Sequence, residues 1–277
     1  MVPRAHEKIC LRMPKKSIGV FDSGFGGLTV LKALLEVIPS ANFHYFGDTA
    51  RLPYGSKSVE TVARYAVEAA HFLESQGIDM LVVACNTATA LALDQITNAS
   101  HVPVVGVVEP GAAKAAAATK NKKVVVVATE ATVNSHAYQK ALEARGVHAQ
   151  EKACPLLVPL IEEGWVNHPV TEQVAGIYLN EAFANGFESA DVLVLACTHY
   201  PLVKKVLRKV APHHVKIVDS AESTAHVVAE KLGDTLGAAS EPQLSFFATD
   251  SVEKFKRLGT KFLGRAIDNV QHVDLKE

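Results

Sequence analysis

The sequence predicts an α/β fold of two similar halves, each built around a mainly parallel central sheet. Three observations carry that expectation. Short apolar, β-branched runs are continuous rather than alternating, which marks strands buried on both faces, as in parallel sheets. These runs alternate with longer stretches of helical periodicity along the whole chain. Residues 81–87 (LVVACNT) also parallel residues 193–199 (LVLACTH), each a buried-strand pattern ending in Ala-Cys, followed by polar residues and a helical stretch.

In chain order, the expected strands are Ser17–Phe21, Asn42–Phe46, Met80–Ala84, Val102–Val107, Val124–Ala128, Val192–Ala196, Val215–Val218 and Leu244–Ala248. Val124 to Val127 are consecutive valines, which leaves no polar face. Between the strands, Val59–Ser75 places Val62, Ala66, Ala69, Ala70 and Leu73 close to helical spacing. Thr171–Asn185 and Ala221–Leu236 read the same way, and the alanine-rich Ala112–Ala118 reads as helix rather than tether. Residues 1–16 read as a poorly ordered N-terminal extension. Cys85 and Cys197 stand 112 residues apart, about one domain length, so the similarity is that of two half-proteins and not of a short-period solenoid.

Composition narrows the function classes. A chain of 277 residues fits about two domains of roughly 150 residues each. Apolar residues make up 48% and charged residues 21%, enough for a sizeable core. Lys and Arg total 28 against 29 Asp and Glu, and a net charge of −1 is a poor basis for non-specific nucleic-acid binding. Four cysteines do not make a disulfide scaffold. No apolar run approaches the ~20 residues that span a bilayer. The basic N-terminus has no apolar stretch of the kind a secretory signal needs. The expectation is a two-domain cytoplasmic protein with reduced thiols.

In open parallel sheets, ligands bind beyond the carboxyl ends of the strands. After the first strand, Asp22-Ser23-Gly24-Phe25-Gly26-Gly27 is glycine-rich but meets neither nucleotide fingerprint. Asp22 or Ser23 there either caps a helix or turns a carboxylate toward a ligand amine or a nearby base, and spacing alone leaves both open. After the second, Gly47-Asp48 leads into Pro53-Tyr54-Gly55-Ser56, which is turn chemistry by default and, functionally, a loop offering N–H groups and hydroxyls to an anion. Cys85-Asn86-Thr87 places a thiol where a helix's positive end lowers its pKa, with Asn86 and Thr87 able to cap that helix or donate to a carboxylate. Cys197-Thr198-His199 repeats the arrangement and adds an imidazole. A single buried cysteine is ordinarily inert. Two in equivalent places point to function. No C-x-x-C or H-x₃₋₅-H pattern supports a metal site, and a cytosolic setting argues against a structural disulfide. A redox pair stays open, and the third option is an acid–base pair flanking one ligand across a pseudo-two-fold axis. One thiolate removes a proton while the opposite thiol delivers one, which inverts a stereocentre. Cys10 reads as incidental, and Cys154, ahead of an apolar stretch, as a packing residue.

With these motifs in hand, the sequence resembles the glutamate racemases, a cofactor-independent family that makes D-glutamate for bacterial peptidoglycan. The matching segments are Ile18–Leu31 (IGVFDSGFGGLTVL), Tyr45–Ser56 (YFGDTARLPYGS), Leu81–Ala90 (LVVACNTATA) and Val104–Gly111 (VVGVVEPG). They continue through Thr129–Tyr138 (TEATVNSHAY), Ala153–Gly164 (ACPLLVPLIEEG), Ala196–Val203 (ACTHYPLV) and Asp219-Ser220-Ala221, all in family order. The family usually has glycine at the position of Ala196, and a methyl there is expected to crowd the site slightly. The resemblance implies two α/β domains with the active site in the cleft between them. Residues 17–110 plus 220–277 would form the first domain and residues 111–219 the second, with 1–16 outside both. It implies Cys85 and Cys197 as the catalytic thiols, each acting on one enantiomer. Asp22 and Ser23 would bind substrate, Asp22 near the amine and the Cys85 side. Tyr54, Gly55 and Ser56 would contact carboxylates, Asn86 and Thr87 would hold substrate beside the first thiol, and Thr198 and His199 beside the second. His199 would assist Cys197, Asp48 and Glu162 would support proton transfer, and Thr129 and Thr132 would add hydroxyl contacts. No metal or cofactor is implied. The implied partner is a small molecule, L- or D-glutamate, with no nucleic acid or membrane. A homodimer is the candidate assembly, because family members often pair. An aspartate racemase is the alternative within the same superfamily.

Overall fold

The computed structural model describes residues 15–233 and 241–275. Residues 1–14 of the extension, Cys10 within it, and residues 234–236 at the end of one expected helix lie outside the described residues. Among the described residues there are ten strands. Six form one sheet: β1 (Ser17–Asp22), β2 (Asn42–Gly47), β3 (Met80–Val83), β4 (Val104–Gly106), β9 (Leu244–Ala248) and β10 (Val270–His272). Their order is β10-β9-β2-β1-β3-β4. The other sheet contains β5 (Lys123–Ala128), β6 (His148–Ala153), β7 (Val192–Ala196) and β8 (Lys216–Asp219), in the order β6-β5-β7-β8. Every pairing in both sheets is parallel.

The two orders share one pattern. β2-β1-β3-β4 and β6-β5-β7-β8 are the same arrangement, in which the chain reverses direction across the sheet after its second strand. The crevice of each sheet therefore opens between its first and third strands, where ligands of such folds bind. Cys85 follows β3 and Cys197 follows β7, so the two thiols stand at equivalent points.

The strands are buried because helices cover both faces. These are α1 (Leu28–Val37), α2 (Val59–Ser75), α3 (Asn86–Ala99), α4 (Val108–Ala118), α5 (Glu130–Ser135), α6 (Ala137–Glu143), α7 (Leu157–Glu162), α8 (Pro169–Ala182), α9 (Lys204–Val210), α10 (Ser220–Leu232) and α11 (Val252–Leu263). In α2, the Ser58 hydroxyl accepts from Thr61 N–H, and the buried stripe runs Val62, Ala66, Ala69, Ala70 and Leu73, as the spacing predicts. α8 starts two residues before the expected Thr171, because Pro169 suits the first turn and His168 caps Val170 N–H at 3.2 Å. It ends before Asn185, which has φ of 54°.

Two strands, β6 and β10, carry no apolar run. β6 reads HAQEKA and β10 reads VQH, and both are sheet edges. An edge strand needs less apolar surface and gains from charge, so the pattern that reveals buried strands is missing there. No helix among the described residues is long and apolar enough to cross a membrane.

Candidate active site

A cavity of about 340 Å³ lies where the carboxyl ends of the two sheets' central strands meet, within the ~300–1,000 Å³ range of small-molecule sites. Cys85 and Cys197 both line it. The two halves hold each other through the residues that follow each thiol. Thr87 Oγ1, after Cys85, is 2.9 Å from Thr129 Oγ1 and 3.3 Å from Thr132 Oγ1 in the other half. Tyr138 of α6 donates to Asn86 Oδ1 at 2.7 Å. On the opposite side, Thr29 Oγ1 donates to the Thr198 carbonyl at 3.2 Å. A Cβ on Gly26 would come within 2.2 Å of Thr198 Oγ1 and 2.5 Å of His199 Nδ1. Only glycine lets the turn after β1 approach the second thiol's neighbours this closely.

Cys85 is the N-cap of α3, its sulfur accepting from Ala88 N–H at 3.4 Å and its thiol directed to Ser23 Oγ at 3.5 Å. The expectation that the helix end lowers its pKa is corrected by the structure. Burial, reinforced by the neighbouring Asp22 carboxylate, pushes the Cys85 thiol up to about 12, and the N–H and hydroxyl contacts only partly offset this. Cys85 therefore rests as a neutral thiol. Asp22 itself is fully buried behind the cavity wall and does not line it. Its Oδ2 accepts from Gly24 N–H at 3.0 Å, while Oδ1 has no partner at hydrogen-bonding geometry, with the Thr198 hydroxyl and Gly27 N–H alongside. Burial raises its pKa against the opposing pull of His199.

Cys197 is set differently. It is followed by a short 3-10 turn, Tyr200–Val203, and not directly by a helix. Its neighbour His199 is 5% exposed. Burial alone would depress the imidazole, but hydrogen bonds to Cys197 and Glu162 outweigh it and raise its pKa to about 10. His199 Nε2 lies 3.3 Å from Glu162 Oε1, and Lys254 of α11 donates to Glu162 Oε2 at 3.2 Å. Glu162 is desolvated, yet these two cations hold it below the usual carboxylate range. The positive imidazolium thus sits beside Cys197, whereas Cys85 lies beside the Asp22 carboxylate.

The remaining expected residues separate into two groups. Ser23, Tyr54, Gly55 and Ser56 line the cavity, as do Asn86, Thr87, Thr129, Glu162, Thr198 and His199. Asp48 and Thr132 do not. Thr132 is fully buried behind Thr129, to which it bonds at 2.9 Å. Asp48 is also fully buried. It accepts from Arg51 Nε at 2.7 Å, from Thr249 Oγ1 at 2.9 Å and from the Tyr54 hydroxyl. This fixes the loop after β2 and engages the Tyr54 hydroxyl. Asn86 carries an amide Nδ2 that is buried without a partner, on a residue lining the cavity.

Sequence reasoning missed three contributors. Cys154, expected to serve in packing, is fully buried in the core and also forms part of the cavity wall. Tyr138 and Lys254 act on Asn86 and Glu162 from distant positions, and no local spacing announces such contacts. Ala196 corrects a further expectation. It belongs to the core cluster of Val192 and Val194, whereas Cys197 shares a cluster with Leu193 and Leu195, so its methyl faces away from the site. Among the described residues, no group of three or more His, Cys, Asp or Glu side chains is placed to hold a metal ion.

The chain matches the Asp/Glu/hydantoin racemase family over residues 18–228. It is 57% identical to a glutamate racemase of Koribacter versatilis, covering 93% of this chain and 97% of that protein. The solved glutamate racemase of Francisella tularensis in complex with D-glutamate superposes with a TM-score of 0.87 at 34% identity, covering 94% of this chain and 98% of that one. The Thermus thermophilus glutamate racemase in complex with β-chloro-D-alanine gives 0.85 at 44% identity, covering 95% and 98%.

Proposed function

The chain belongs to the Asp/Glu/hydantoin racemase family, and from that premise we propose that it interconverts L- and D-glutamate by passing the α-proton between Cys85 and Cys197. The carrying observation is that two cysteines ending equivalent strands of two sheets line a single cavity. The high identity and coverage shared with glutamate racemases favour glutamate over aspartate as substrate. The activity is that of an isomerase, and its D-glutamate serves peptidoglycan synthesis, the role of this enzyme family.

In one direction the Cys197 thiolate, paired with the His199 imidazolium, takes the proton from Cα. The electron pair left on Cα spreads into the α-carboxylate. The Cys85 S–H then delivers its proton to the opposite face. The product is the other enantiomer, with Cys197 now a thiol and Cys85 a thiolate, and protons exchanged with solvent restore the starting state. The reverse reaction exchanges the two roles. A thiolate is a weak base for an amino-acid α-proton, so the site must lower the barrier. The Asn86 amide with the Thr87 and Thr198 hydroxyls are donors for the charge building on the carboxylate. Ser23 and the Tyr54–Ser56 loop complete the substrate's surroundings. A cleft closed on the substrate excludes water and strengthens each of these contacts.

Residues 17–110 with 220–277, and residues 111–219, form the two domains of this reading, supported by β9 and β10 joining the sheet of β1 to β4. The enzyme acts in the cytoplasm, as a homodimer. Circular dichroism with L-Glu, D-Glu and L-Asp tests the substrate. Equal or faster turnover of L-Asp would restore the aspartate alternative. For the mechanism, Cys85→Ala and Cys197→Ala are each expected to lose at least about a thousandfold in racemisation of both enantiomers. Product formed in D₂O should carry deuterium at Cα from the first turnover. Substantial racemisation by either variant, or protiated product, would defeat the two-thiol scheme.

A further inference from the structure

We propose that Tyr138 is a positioning residue that fixes the Asn86 side-chain amide so that its N–H donors, and not its carbonyl oxygen, face the substrate carboxylate. The proposal rests on the reading above that Asn86 holds substrate. Three observations carry it. The Tyr138 hydroxyl donates to Asn86 Oδ1 at 2.7 Å across the two halves of the molecule. Asn86 is 2% exposed, lines the cavity and leaves Nδ2 without any partner. Tyr138 is fully buried, and the space around its hydroxyl is shaped for it: a Cβ on Gly111 would come within 3.0 Å of that oxygen and 3.1 Å of Ser220 Cβ.

The chemistry follows from the amide's two ends. An asparagine amide presents an acceptor at one end and two donors at the other. A phenol that donates to the oxygen end leaves the donor end for the cavity. With the amide turned over, a carbonyl oxygen would face an anionic substrate and repel it. Burial pushes the Tyr138 phenol above its ordinary pKa, so it remains a donor over the working pH range. Tyr138 does not itself line the cavity and reaches it only through Asn86.

The test is a double-variant cycle of Tyr138→Phe and Asn86→Ala, with KM and kcat measured for both glutamate enantiomers and thermal stability recorded alongside. Tyr138→Phe removes one oxygen and one buried hydrogen bond, so KM is expected to rise about 3- to 10-fold, with kcat falling as well because the same amide donates to the charge building on the carboxylate. In the Asn86→Ala background the same change should leave KM unaltered, because there is no amide left to orient. Gly111→Ala, whose methyl would crowd the phenol by a few tenths of an ångström without deleting it, should raise KM in the same sense and also lose its effect when Asn86 is absent. This second variant decides the matter if Tyr138→Phe does not fold. Equal KM effects of Tyr138→Phe with and without Asn86, or a fall in stability with KM unchanged, would overturn the proposal alone. An Asn86→Ala enzyme with normal KM would instead overturn the substrate-holding role of Asn86, and this proposal with it.

Discussion

Replacing Glu162 with glutamine removes one negative charge from the second thiol's surroundings while keeping the side chain's size. The wild-type imidazole of His199 rises from an ordinary 6.5 to about 10. At ~1.4 kcal/mol per pH unit, that shift corresponds to on the order of 5 kcal/mol favouring the charged form. Glu162, 3.3 Å away, shares this with Cys197 and Asp22, so its share is roughly 1–3 kcal/mol, the range of a charge-assisted hydrogen bond. The imidazole in Glu162→Gln should therefore titrate about 1–2 units lower. The sign follows from linkage. A folded-state pKa raised above the unfolded value contributes stability that is complete below about pH 6.5 and is lost as pH rises through about 10. In the variant the loss should still begin near pH 6.5 but be complete about 1–2 units earlier, with a correspondingly smaller total contribution, by the same relation. The assays are the pH dependence of kcat/KM, the pH dependence of Tm, and NMR titration of the His199 ring. The alkaline limb of activity should move toward neutrality together with the histidine titration. An alkaline limb that stays fixed while the histidine titration shifts would refute the idea that the imidazolium sustains the Cys197 thiolate.

Other expected outcomes are more local. Gly26→Ala drives a methyl into Thr198 and His199 and should cost about 1–3 kcal/mol of stability by overpacking, with a fall in kcat visible in the racemisation assay. Tyr54→Phe removes the hydroxyl that braces the loop on Asp48 and leaves a buried carboxylate one donor short. Denaturant unfolding should show a loss of about 1–3 kcal/mol, and KM should rise through the loosened Gly55 and Ser56. Ala196→Gly should lose about 1 kcal/mol of stability with KM unchanged, because the methyl lies in the core behind β7 and not in the cavity. A marked fall in KM for this variant would place that methyl in the site after all.

The buried parts of the fold were readable because burial on both faces demands continuous apolar runs. Each of the eight expected strands is present within two residues at either end, and Val59–Ser75 matches its helix throughout. The edge strands β6 and β10 escaped because solvent relaxes that demand. In the site, the paired cysteines and their polar neighbours were visible as local motifs, and most of those residues line the cavity. The electrostatics were not visible. The helix end at Cys85 was in the sequence, but the burial that outweighs it, and Asp22 beside it, are products of packing. Nor could Asp48 be separated from the cavity-lining residues, since its partners Arg51, Tyr54 and Thr249 meet only in the folded chain.

By itself, the sequence determined two parallel sheets, a thiol at the end of a central strand in each, and the small polar residues around them, because backbone geometry and apolar burial act over short stretches of chain. The tertiary structure alone decided that both thiols open on one cavity and that their surroundings differ, Cys85 lying beside Asp22 and Cys197 beside His199. It also decided that Tyr138 and Lys254 act on Asn86 and Glu162. Desolvation and charge pairing depend on which surfaces meet, and residues as far apart as Glu162 and Lys254 come within bonding distance only after the two halves have closed on each other.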